Sequence, residues 1–100
     1  MYLLFAHDEN GPEPYLFLVR YNTLIKCLKA MNTSKFTSHE IQDVRNDEWY
    51  EFVKESDGKI RMRRLLYNEN VEWISLYGYE DAIHYMKKET FFQYLKRHVC

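Results

Sequence analysis

The densest charge cluster in this chain is Lys59, Arg61, Arg63 and Arg64. Cations at alternate positions of a strand can contact successive phosphates, and Tyr67, Trp73 and Tyr77 nearby would offer stacking surfaces for unpaired bases. The same cations can instead pair with Glu51 and Glu55 across a hairpin, as an ordinary solvated strand face. The first reading predicts single-stranded nucleic acid as the partner; the second assigns the cluster no partner outside the chain.

Other chemistry-bearing groups are sparser. Glu80 and His84 are four residues apart, and Asp81 and His84 three, so a helix would bring two carboxylates and an imidazole onto one face. Without a fourth ligand they do not define a metal centre. His7-Asp8-Glu9 could supply acid–base groups from a loop, and His98-Val99-Cys100 stands at the C-terminus. Cys27 falls on an apolar helical stripe, where a thiol behaves as a small buried hydrophobe. No GxGxxG, P-loop, HExxH or nucleophilic-serine motif occurs. No nucleophile and base can be paired, so the sequence assigns no catalytic residue, no metal and no cofactor, and the protein is expected not to be an enzyme.

Aromatic residues are the strongest remaining signal. Nine Tyr, six Phe and two Trp stand among 100 residues that include only three Gly and two Pro. Such a chain is nearly all packed secondary structure. Tyr and Trp fill sheet–helix interfaces well, but rings left outside, beside Arg, have the composition of a protein-interface hot spot.

Those side chains need elements to position them. Residues 2–7 and 15–20 are short apolar runs separated by Asp8-Glu9-Asn10-Gly11-Pro12-Glu13-Pro14, and they predict a hairpin with a long connection. Their apolar character predicts central strands covered on both faces. Asn22 offers a helix cap, and Leu24, Cys27, Leu28 and Met31 follow as one stripe with Lys26 and Lys29 opposite, ending at Asn32. Residues 33–40 read as a loop, and Ile41 to Asp47 fits a short strand or a helical turn. Runs 48–55 and 59–67 flank Ser56-Asp57-Gly58. A two-residue loop would set Val53 opposite Met62. A three-residue loop with Gly58 in the left-handed region sets Glu51 opposite Arg63, Phe52 opposite Met62 and Glu55 opposite Lys59. The second register sorts Tyr50, Phe52, Ile60, Met62 and Leu66 to one face and Glu51, Glu55, Lys59, Arg61 and Arg63 to the other, so it is the one expected. It leaves Trp49 and Leu65 on the charged face, with Trp73 and Tyr77 joining them after a second turn at 68–70. It also turns Arg64 toward the core, with Glu72 as a candidate partner. Residues 71–77 read as a further strand, and Glu80 and Asp81 open a helix running to about His98.

The expected fold is α+β: an antiparallel sheet of about five strands with two helices packed on it, in the order β-β-α-β-β-β-α, as a single domain over 1–100. The net charge of −1 and pI of about 6.4 are unlike a dedicated nucleic-acid binder. The N-terminal run Met1 to Ala6 lacks a basic flank and ends at His7-Asp8-Glu9, so neither a signal peptide nor a membrane span is expected, and the chain reads as cytoplasmic. The composite expectation is a small protein-binding module, of the regulator, inhibitor or immunity kind that bacteria and phages make, occluding a partner protein. Its contact residues would be Trp49, Trp73, Tyr77, Arg61 and Arg63. A second copy of the chain could be that partner, and single-stranded nucleic acid on the Arg-bearing strand is the alternative.

Overall fold

Residues 1–8, 15–65 and 71–87 are described by a computed structural model. The loop at 9–14, the turn at 68–70, Leu66, Tyr67 and everything after residue 87, Cys100 included, lie outside the described residues. The elements are β1 (Tyr2–His7), β2 (Tyr15–Tyr21), α1 (Leu24–Thr33), β3 (Ser38–Asp43), β4 (Glu48–Lys54), β5 (Ile60–Leu65) and β6 (Ile74–Leu76). A second helix, α2, is described over residues 79–87.

All strand pairings are antiparallel, and the six-stranded sheet has the order β2-β1-β3-β4-β5-β6. The chain leaves the edge strand β2, crosses over β1 through α1, and returns as β3 on the far side of β1. From there it continues as a meander. This is an α+β fold of the expected class, and the expected order is met once the ambiguous segment after α1 is resolved as a strand, which brings the sheet to six strands.

The α1 stripe forms as its spacing predicts: Leu24, Cys27, Leu28 and Met31 are its buried residues. The cap is Thr23 rather than Asn22. Its hydroxyl accepts a hydrogen bond from the Lys26 N–H at 3.4 Å, which satisfies one of the helix's orphan donors. Ala82 and Met86 of α2 join the same cluster, together with Leu4, Ile41, Tyr50, Phe52, Ile60 and Met62 from the sheet. Each large apolar side chain fully buried there contributes roughly 1.5–3 kcal/mol. Cys27 belongs to this core, and burial pushes its thiol up to about 12.

Both helices therefore cover one face of the sheet, and the other face carries no helix among the described residues. That overturns the expectation that the first two strands are covered on both faces; β1 is interior as expected, between β2 and β3, but β2 is not. β2 is an edge strand with Phe17 57% and Val19 44% exposed. An apolar run signals burial equally well for a central strand and for an edge whose neighbour is apolar, so composition could not separate them. A register shift between Leu4 and Phe5 leaves Leu18 as the extra residue of a bulge in β2.

The expected loop at 33–40 is also corrected. Strand β3 begins at Ser38, and its inward residues are His39, Ile41 and Asp43. Only one of those three is hydrophobic, which is why the period of two was hard to read in Ser-His-Glu-Ile-Gln-Asp.

The hairpin of β4 and β5 has the three-residue register: Glu51 pairs with Arg63 and Phe52 with Met62. Gly58 has φ +85°, and the Glu55 N–H donates to the Lys59 carbonyl at 2.8 Å. Arg64 does face the core, at 8% exposure, but its partner is Glu48 of β4 at 3.8 Å rather than Glu72. Glu72 precedes β6 and stays exposed, whereas Glu48 lies one strand away on the same inward face. The Tyr50 hydroxyl donates to the other Glu48 oxygen at 2.5 Å.

Candidate functional site

The helix-free face is built by the residues that alternate with the core. Strand register sets its rows. Glu40 faces Phe5 on one side and Glu51 on the other, and Glu51 faces Arg63. One row thus runs Phe5, Glu40, Glu51, Arg63 across four strands. The neighbouring row runs Leu3, Gln42, Trp49, Leu65.

Three columns stand side by side at the β4–β6 end. The first is acidic: Glu51, Glu55 and Asp57. The second is basic: Arg63 donates from Nε to Glu51 at 2.8 Å, Arg61 pairs with Glu55, and Lys59 lies 3.7 Å from Asp57. The third is aromatic. The guanidinium carbons of Arg63 and Arg61 lie 4.5 and 5.4 Å from the centre of the Trp73 ring, and the Lys59 ammonium lies 5.5 Å from that of Tyr77. Each cation is thus held between a carboxylate and an aromatic face.

An aromatic ladder occupies the β1–β2 end. The Phe5 and Phe17 rings meet edge to face at 5.6 Å, and Phe5 lies 5.7 Å from Trp49 at a tilt of 32°. Glu40 lies beside Phe5 of the ladder and faces Glu51 of the acidic column. Burial and the Glu51 charge raise the Glu40 pKa, an effect that His7, 3.4 Å away, opposes.

All five residues expected from sequence at the contact surface occupy this one face. Trp49, Trp73, Arg61 and Arg63 are half-buried, and Tyr77 is 81% exposed. The tryptophans are not sealed in the core. Trp49 is two strands away from the β6 end that carries Trp73, and Phe5 and Phe17, rather than Trp73, are the rings packed in line with it. Phe5, Phe17, His7 and Glu40 were missed as contributors. Phe5 and Phe17 sit in runs so apolar that they read as core, and Glu40 sits in the segment read as a loop.

The helical acidic group does not assemble as a ligand set. Asp81 accepts the Tyr77 backbone N–H at 3.1 Å, closing the turn into α2. Among the described residues no three His, Cys, Asp or Glu side chains are grouped so as to hold a metal ion. No helix of the described residues is long and apolar enough to cross a membrane.

No protein-family model matches this chain, and no curated protein or solved structure is significantly similar to it.

Proposed function

We propose that this chain is a small protein-binding module that occludes a partner protein with the helix-free face of its sheet. The observation that carries this reading is the segregation of the two faces. Both helices pack on one side, and the other side keeps Trp49, Trp73 and Tyr77 accessible beside Arg61 and Arg63. Accessible Trp and Tyr next to Arg, on a rigid sheet, is the composition that concentrates binding energy in protein interfaces.

Charge favours a protein over nucleic acid. Lys59, Arg61 and Arg63 each have a carboxylate partner on the same face, and a phosphate would have to displace it. A mosaic of internally paired charges suits a neutral or mixed-charge protein surface. The mode of action is steric: a sheet face with little freedom to rearrange covers a partner's working surface.

The test is affinity capture from the native lysate at low and high salt, using the wild type and the Trp73→Ala and Tyr77→Ala variants. A protein partner that resists salt and is lost with Trp73→Ala supports the reading. Ultraviolet absorbance of nucleic acid in the eluate, lost in salt, would replace it with single-stranded nucleic-acid binding. Retention of the same partner by both variants removes the face from consideration.

A further inference from the structure

The core-facing side holds a polar cluster that the binding face does not use. His39 of β3 is 0% exposed, set between Ala6 of β1 and Phe52 of β4 by strand register. Its Nε2 lies 2.9 Å from the Ser34 hydroxyl, and its Nδ1 has no hydrogen-bond partner among the described residues. Ser34 caps the C-terminal end of α1, its N–H donating to the Met31 carbonyl at 3.2 Å. Its hydroxyl also accepts the Phe36 N–H at 3.2 Å. Lys54 of β4 reaches in and donates from Nζ to the Met31 carbonyl at 3.2 Å and the Ser34 carbonyl at 2.5 Å. One ammonium thereby bridges two carbonyls at the end of the helix, adding a second donor to that of Met31 and supplying one to that of Ser34. The Lys54 N–H fixes the same connection by donating to the Thr37 carbonyl at 2.9 Å.

We propose that His39, Ser34 and Lys54 form an acid-operated latch, which holds the C-terminal end of α1 and the 34–37 connection against the sheet at neutral pH and releases them when His39 takes up a proton. The chemistry is one of charge and donor count. A neutral imidazole needs one partner for one N–H. An imidazolium has two N–H donors and a charge, and Nδ1 faces no acceptor among the described residues. The charged and titratable groups acting on His39 are Lys54 from β4 and His7 from β1, and both oppose a second cation. From α1 and its cap come only the Ser34 hydroxyl and backbone groups. Glu40, the adjacent carboxylate in sequence, points to the opposite face with His7.

Burial first, then Lys54 and His7, push His39 down to about 4. In the opened segment the imidazole returns to the ordinary range near 6.5. The closed state therefore binds fewer protons than the open one between those values. Closure is at full strength above about pH 6.5 and weakens as pH falls toward about 4, where the loss levels off. At pH 4 the opening equilibrium should exceed its neutral value by on the order of a hundredfold. This inference is independent of the binding reading, since the latch and the open face lie on opposite sides of the sheet.

Amide hydrogen exchange, followed from pH 7 to pH 4 and corrected for intrinsic rates, tests it. The latch predicts that amides near Met31 to Ser38 lose protection before those of β4 and β5. The His39→Gln variant, which keeps a side-chain amide toward Ser34 but cannot titrate, should lose most of the pH dependence. Should that variant fail to fold, nuclear magnetic resonance of the wild-type imidazole gives a second measurement: the ring should stay neutral in the closed state down to about pH 4. A wild-type His39 that titrates near 6.5 with protection unchanged would overturn the latch. So would equal acid sensitivity in His39→Gln, or loss of protection in all strands at once.

Discussion

Arg63 is stacked on Trp73, with its guanidinium carbon 4.5 Å from the ring centre while its Nε bonds Glu51. The contact joins β5 to the segment leading into β6. It also holds the indole in place on the open face, so one interaction serves both stability and the proposed recognition.

Replacing Trp73 with Ala should therefore cost about 0.5–1 kcal/mol of stability from the lost cation–π contact alone, with packing added. Arg63→Lys keeps the charge but loses the planar stack, and should cost a similar few tenths to about 1 kcal/mol. Urea denaturation of the two single variants and the double variant measures the coupling. A coupling energy near zero would mean that the stack contributes nothing to the fold.

Gly58→Ala should destabilise the hairpin by about 1–2 kcal/mol, because φ is +85° and an L side chain is strained there. Nothing lies within 4 Å of the added Cβ, so the cost is one of backbone conformation rather than of collision. Gly58→Asn should recover part of the loss, since Asn tolerates the left-handed region better. Thermal unfolding of both variants separates the two effects.

Glu40→Gln should raise the melting temperature at pH 7. Burial and the facing Glu51 raise the Glu40 pKa, so its charged form is disfavoured in the fold relative to the unfolded chain. That penalty is fully present above the raised value and disappears as pH falls through the ordinary carboxylate range. The advantage of Gln should accordingly shrink toward zero by about pH 4. Paired melting curves across this range check the sign.

Arg64→Met alone should cost about 1–3 kcal/mol, because it takes a cation from beside the Glu48 carboxylate, which is only 4% exposed, and leaves that buried charge to its other partners such as the Tyr50 hydroxyl. The joint change with Glu48→Met should cost much less, since two apolar side chains of similar length can share the space. Equilibrium unfolding of the three variants tests this non-additivity. Equal losses in the single and joint variants would show that the pair matters through its shape alone.

Much of the architecture is legible in the residues themselves. The stripe of Leu24, Cys27, Leu28 and Met31 specifies α1 because a spacing of three and four puts one face of a helix in the core. Asp57-Gly58 and the charges on either side specify the β4–β5 register, because only that pairing places Glu51 against Arg63 and the rings of Tyr50 and Phe52 inward. These are local relations, set by backbone geometry and near neighbours in the chain. The same register placed Trp49, Arg61 and Arg63 together on one face.

Tertiary structure decided what local pattern could not carry. That β2 is an edge, that α1 crosses over β1, and that both helices choose the same side depend on contacts between segments far apart in sequence. So does the partner of Arg64, found one strand away in Glu48, and so does the burial of His39, whose polar neighbours hide a strand. The sequence by itself determined which residues alternate and pair. Only the assembled sheet determined which of its two faces the helices would seal and which would meet water, because either face of an alternating strand can be buried until something packs against it.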